Sequence, residues 1–272
     1  MNLNNKTAVI TGGAGGIGST LARALHREGA NVVVSDLNLE AAQAVADEIG
    51  GKALACDVTK EEQIKALIAL AEEAYGQVDI FVSNAGFGSQ EPDHVASQSN
   101  EMWQLQWDVH VMSHVYASRD LLPKMIARGD GYLVNVASAA GLLAQISDAA
   151  YSATKHAAVS FAEALKIGHA HQGVKVSVVC PQYVNTDIIG DAKVSDPADF
   201  PEGLITPEQC VDTIVQGLKD ETFLILPHPE VAKFSALRAA DPTRWLGGMS
   251  KLRASLMNEE GKIDLKRMFV RE

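Results

Sequence analysis

The 272-residue chain carries 23 basic against 34 acidic residues, a net charge of −11, with 47% hydrophobic residues. That balance suits one globular α/β domain with a sizeable core, and it excludes a nucleic-acid or anionic-membrane surface, which needs clustered Lys and Arg. No apolar run approaches the ~20 residues that cross a bilayer. The N-terminus, MNLNNKTAVITGG, shows no basic-then-apolar leader, and Cys56, Cys180 and Cys210 are odd in number and far apart, so a reduced, cytoplasmic protein is expected.

KTAVIT (6–11) reads as a short apolar strand, and 16–28 as a helix with Ile17, Leu21 and Leu25 at helical spacing. NVVVSD (31–36) is a second β-branched run, followed by a helix at 39–49, a strand at 52–57, a helix at 61–75 and a strand at 78–84. The second half continues with a helix over about 99–127, a strand at 131–138, a helix from about 148 to 170 and a strand at 174–181, then a helix at 207–219 and a strand at 222–227. Strands apolar throughout that alternate with helices make βαβ units, so 1–272 is read as one α/β domain: a single doubly wound parallel sheet with helices on both faces. Two stretches stand apart, a candidate substrate loop at about 182–206 and a C-terminal helical extension at about 228–272. In the extension Asp241-Pro242 forms a cap and first turn, and Trp245, Met249, Leu252 and Leu256 recur on one face. That face packs either on its own subunit or over the substrate mouth or a neighbouring subunit.

TGGAGGIG (11–18) joins the first strand to the first helix and contains Gly13, Gly15 and Gly18 as G-x-G-x-x-G, and Gly12, Gly16 and Gly18 as G-x-x-x-G-x-G. Glycines let the backbone approach a pyrophosphate at a helix N-terminus, where unpaired N–H groups and the dipole favour an anion. Asp36 ends the second strand, 18 residues past Gly18. A carboxylate there accepts from ribose hydroxyls and repels a 2′-phosphate, and Leu37 beside it offers no cation, so NAD is expected over NADP. Capping of the next helix is the bland role for Asp36, one that Asn38 is also placed to fill.

YSATK (151–155) puts Tyr151 and Lys155 on one helix face, where an ammonium pulls a phenol pKa down. Ser138 ends the preceding strand, 13 residues before Tyr151. With TGGAGGIG, CDV (56–58), SNAG (83–86), VNVASAAG (134–141) and CPQYVNTD (180–187), the chain resembles the short-chain dehydrogenase/reductase family, a Rossmann-type fold, as far as about Pro227. The resemblance implies Tyr151 as acid/base, Lys155 on the nicotinamide ribose and Ser138 on the reacting oxygen. It also implies a cofactor lined by Gly12, Gly16, Ile17, Gly18, Asp36, Leu37, Asp57, Val58, Asn84, Ala85, Gly86, Pro181, Val184 and Thr186. Association into a homodimer or homotetramer is implied likewise.

Two departures stand out. Gln182 replaces the family's usual glycine after Pro181, and His110 stands where the family has an asparagine, 13 residues before Pro123. An imidazole at 110 is expected to keep a proton relay running and to titrate near pH 6.5. His110 and His114 have metal-ligand spacing, but Val111 stands where zinc peptidases need glutamate and no third ligand is evident, so no metal is expected. Phe87, Leu142, Leu143, Ile146, Tyr183, Ile188 and Ile189 make the loops after the strands apolar, with Gln145, Gln182 and His94 supplying polar contacts, and Gln145, Gln182 and Tyr183 are the candidate substrate residues. Lys193 is the sole cation in those loops, which disfavours a phosphorylated substrate. An apolar, even cyclic, secondary alcohol or ketone is the expected substrate. The alternatives are a catalytically weak NAD-binding regulator or scaffold, favoured by His110, and an isomerase or dehydratase using the same tyrosine.

Overall fold

Thr7–Thr11 (β1) is buried at all five positions, as a strand covered on both faces must be. In a computed structural model that describes residues 1–259, 262–264 and 267, it is followed by α1 (Gly16–Arg27), β2 (Asn31–Asp36), α2 (Leu39–Glu48), β3 (Lys52–Ala55), α3 (Glu61–Tyr75) and β4 (Ile80–Ser83). Next come α4 (Asn100–Trp107), α5 (Ser113–Arg128), β5 (Gly131–Val136), the short α6 (Ala140–Leu143), α7 (Ala149–His169) and β6 (Val174–Val179). The chain continues through β7 (Tyr183–Val184), β8 (Leu204–Ile205), α8 (Pro207–Lys219), β9 (Leu224–Ile225), α9 (Glu230–Ala240) and α10 (Pro242–Leu256).

Seven strands form one parallel sheet in the order β3-β2-β1-β4-β5-β6-β9. Alternate residues of each strand feed opposite faces. Ile10, Val32 and Val34 pack with Leu21 and Leu25 of α1 and Ile214 of α8, while Val9, Val33 and Phe81 pack with Leu67 of α3, Leu121 of α5 and Ala162 of α7. The strand order reverses between β1 and β4, which opens a crevice at their carboxyl ends, where such sheets bind ligands. At the opposite rim Lys6 pairs with Asp79 (3.1 Å) and Asp130 (3.3 Å), and Lys175 with Asp130 (2.9 Å).

Some expectations shift. The strands read at 52–57 and 222–227 contract to Lys52–Ala55 and Leu224–Ile225. The long helix at 99–127 is interrupted by a π turn at Asp108–Met112, centred on His110. The substrate loop is not irregular throughout, since β7 and β8 pair in parallel, Tyr183 with Leu204 and Val184 with Ile205. The C-terminal extension packs on its own subunit. Val231, Phe234 and Trp245 cover Ala139, Leu142 and Leu143, and the rings of Phe234 and Trp245 lie 6.1 Å apart. The expected extension beyond 259 lies outside the described residues apart from 262–264 and 267.

Candidate active site

The carboxyl ends of the central strands gather most of the expected residues. Ser138 stands two residues past β5, Asn84, Ala85 and Gly86 follow β4 directly, and Tyr151 and Lys155 occupy the first two turns of α7. Ser138 accepts at its hydroxyl from the Ala140 amide at 3.1 Å, and its nearness to the Tyr151 phenol opposes the rise in the phenol's pKa. Lys155 is buried, donates from Nζ to the Val136 carbonyl at 3.0 Å, and lies 5.5 Å from the centre of the Tyr151 ring.

The α7 start is held by a carboxylate that sequence reading passed over. Asp148 caps the helix by accepting from the Tyr151 amide itself at 2.9 Å, and its other oxygen accepts from the Ser89 amide at 2.6 Å. Glu91 adds a second tie, accepting from the Ala149 amide at 3.0 Å and pairing with Arg253 of α10 at 3.4 Å. Arg253 also reaches the Ile146 carbonyl, and Arg238 of α9 the Leu142 carbonyl, so both C-terminal helices grip the loop between Ser138 and Tyr151. An Asp three residues ahead of Tyr151, at a helix start, was the available signal for the cap; the arginine ties had none.

Electrostatics correct one expectation. Burial pushes the Tyr151 phenol up to about 12, against the opposing influence of Ser138, and the nearby Asp148 and Cys180 add to the rise. Burial also brings Lys155 down to about 8. The expected lowering of the phenol by Lys155 is therefore absent from the protein's own groups: the ammonium is committed to a carbonyl and desolvation dominates.

His110 is fully buried, with its ring edge-on to Tyr151 at 5.3 Å between centres. The Phe87 amide donates to Nε2 at 3.2 Å, so the neutral ring carries its proton on Nδ1 and donates to Thr154 Oγ1 at 3.0 Å. Thr154 in turn donates to the Tyr151 carbonyl at 2.9 Å. A Cβ added to Gly86 would lie 3.4 Å from His110 Nε2 and 3.5 Å from Lys155 Nζ, which puts the two side chains at one spot. Burial, then the Lys155 charge, hold the His110 pKa well below 6.5, so titration near pH 6.5 is overturned. His114 is buried with neither ring nitrogen partnered, its pKa pushed by burial down to about 3. Among the described residues no three His, Cys, Asp or Glu side chains gather as metal ligands.

The glycine loop fits a dinucleotide. α1 begins behind Gly15 with no side-chain cap and no acidic residue in its first turn, leaving N–H groups for an anion. A Cβ on Gly18 would lie 2.1 Å from the Gly12 carbonyl oxygen, and one on Gly16, at φ +48°, 2.9 Å from Thr186 Cγ2. Only glycine lets these segments close so tightly. Asn84 fastens the neighbouring turn, donating from Nδ2 to the Thr11 and Gly12 carbonyls at 2.9 and 3.0 Å. Asp36 accepts from the Ala14 amide of the loop at 3.2 Å, whereas Asn38 caps α2. Leu37 is 76% exposed. Ile17 packs against the core on the α1 side, and Val58 is buried in the core on the opposite face of the sheet. Asp57 turns one oxygen back onto Thr59, accepting from its amide at 3.0 Å and its hydroxyl at 2.7 Å.

The expected substrate residues meet only in part. The Tyr183 phenol bonds to Gln145, whose own oxygen also accepts from the Ile146 amide at 2.9 Å. Gln182 is absent from the residues with positive φ, so its substitution for glycine strains no backbone. Pro181 accepts at its carbonyl from the Ala139 amide at 2.8 Å, next to Ser138, and Val184 is buried.

Residues 6–196 match the family model described as short chain dehydrogenase. The chain is 34% identical over 229 residues to a cyclohexanol dehydrogenase of Acinetobacter sp. (strain SE19), covering 82% of this chain and 91% of that one. A short-chain dehydrogenase/reductase of Burkholderia phymatum in complex with NAD superposes with TM-score 0.79 at 27% identity, over 89% of this chain and 95% of that one. A short-chain dehydrogenase of Sphingobium yanoikuyae in complex with NADPH gives TM-score 0.74 at 25% identity, over 90% and 95%.

Proposed function

The chain belongs to the short chain dehydrogenase family, and from that premise we propose an NAD-dependent oxidoreductase that interconverts an apolar secondary alcohol and its ketone, ring alcohols among them. The observation that carries this reading is the convergence of Ser138, Tyr151 and Lys155 at the crevice, with the Lys155 ammonium 5.5 Å from the centre of the Tyr151 ring. Once the phenol has given its own proton to solvent, the Tyr151 phenolate takes the alcohol's hydroxyl proton as hydride leaves the carbinol carbon, while the Ser138 hydroxyl holds the reacting oxygen. A dinucleotide held there would supply the hydride acceptor and, when oxidised, a positive charge. Lys155, 5.5 Å from the centre of the Tyr151 ring, would add a second cation, so the phenol's proton would become labile in the loaded site.

Gly12, Gly16, Ile17, Gly18, Asn84, Ala85, Gly86, Val184 and Thr186 are the residues assigned to hold the dinucleotide, with Asp57 and Val58 toward its adenine. Asp36 and Leu37 set its type. The name of the Acinetobacter relative supports a ring alcohol. For a partner we propose a second copy of this chain on the face of α5 and α7, where Val115, Leu122, Phe161 and Leu165 line an apolar groove on the same helices as Ile167, which is 81% exposed.

The test is NADH formation at 340 nm across cyclic and open-chain secondary alcohols. NAD should be preferred over NADP at least about tenfold, roughly 1.4 kcal/mol. Tyr151→Phe should lower kcat by about 10²-fold or more while NADH binding stays nearly intact. Equal use of the two cofactors removes the role given to Asp36, and a Tyr151→Phe enzyme with most of its activity removes the acid/base assignment. A second reading, a dinucleotide-binding regulator with weak catalysis, is favoured by His110, and it would show binding with no turnover in the same assay.

A further inference from the structure

His228 follows β9 at the mouth of the C-terminal extension, and only 2% of it is exposed. Its ring reaches back to a segment 46 residues earlier. The Gln182 amide donates to Nδ1 at 3.1 Å. That leaves the neutral ring's proton on Nε2, which donates to the Tyr183 carbonyl at 3.2 Å. One imidazole thus satisfies an N–H and a C=O on adjacent residues. Burial holds the ring neutral, with Glu230 the charged group opposing it.

The clamped segment has a specific position. On one side, the Pro181 carbonyl is tied to the Ala139 amide, next to Ser138. On the other, Tyr183 and Val184 pair with β8, and Thr186 closes on Gly16. The Tyr183 phenol extends to Gln145. The backbone N–H of residue 182 is thus pinned to the histidine.

We propose that His228 is a positioning residue: by clamping Gln182 and Tyr183 it sets Val184 and Thr186 against the nicotinamide end of the dinucleotide and Tyr183 against the substrate. The C-terminal extension thereby takes part in the site through a contact within the same chain. This rests on the dinucleotide assignment made above and adds to it a residue beyond the family motifs.

The experiment compares binding of NADH and of ADP-ribose, which lacks the nicotinamide ring, by calorimetry on wild type, His228→Ala and His228→Asn. Loss of a clamp of about 1 kcal/mol should weaken NADH binding about fivefold in the alanine variant and leave ADP-ribose within about twofold. KM for the alcohol should rise in parallel. Asparagine keeps an acceptor for the Gln182 amide and should recover part of the loss; it carries the same comparison if the alanine variant does not fold. Equal weakening of both ligands, or of neither, overturns the proposal. A wild-type protein that binds neither ligand overturns the dinucleotide reading itself, and this inference with it.

Discussion

His110 has both ring nitrogens engaged, one by the Phe87 amide and the other toward Thr154, so it ties the turn after β4 to the helix that carries Tyr151. An imidazole so held, and kept neutral by burial, has no proton to exchange near neutral pH. Its folded pKa lies below the ordinary 6.5, so its contribution to stability is present above pH 6.5 and is lost as the pH falls below that value. His110→Ala should destabilise the protein by about 1–3 kcal/mol, because it leaves the partly buried Phe87 amide without its partner. The pH–rate profile above pH 6 should keep its shape. An acid limb near 6.5 that vanishes in His110→Asn would instead put the ring back in the proton path. Tyr151, Lys155 and Ser138 are legible in the sequence because helical spacing and a strand end place them. Asp36 is legible for the same reason, being the last residue of its strand. His228 is not, since a hydrogen bond between residues 46 apart leaves no periodicity to read, and the commitments of His110 depend on a π turn that no spacing rule anticipates.

At the scale of elements, apolar runs and helical spacing recover the parallel strands and the helices between them, and they fail where local geometry is decided by neighbours. Cys56 lies beyond β3 although its amide still bonds to Asp36, and the strand at 222–227 keeps only Leu224 and Ile225 although the Phe223 carbonyl still accepts from the Val178 amide of β6. Residues 183–184 and 204–205 are too short to show alternation, yet they pair because the loop between them folds back. On helices α5 and α7, Leu122 and Phe161 lie half-buried at the groove and Ile167 is open. A monomer would leave this surface in water at about 25 cal/mol per Å². Ile167→Glu and Leu122→Glu should shift the protein toward monomer in light scattering at micromolar concentration. Wild-type protein that is already monomeric there would remove the proposed second copy.

Across the whole molecule the single sheet separates two tasks. Its amino-terminal rim carries the Lys6, Asp79, Asp130 and Lys175 ion pairs, and its carboxyl rim carries the crevice, where the strand order reverses between β1 and β4. The buried ammonium of Lys155 has a consequence for thermodynamics. Unfolded, this lysine keeps its proton to about pH 10.5, but folded it releases it from about 8. Between those values the unfolded chain binds the extra proton, so this group's share of folding stability rises with pH, and below 8 the fold carries a charge it would be firmer without. The difference in unfolding free energy between Lys155→Met and wild type, by urea titration, should therefore move in favour of wild type by about 2 kcal/mol from pH 8 to 10. A difference that stays constant over that range would show the ammonium to be better solvated than its surroundings indicate. Lys155 is then a standing tension in the resting protein, and a ligand that engages the ammonium relieves it, so melting temperature should respond to the ligand most strongly at neutral pH.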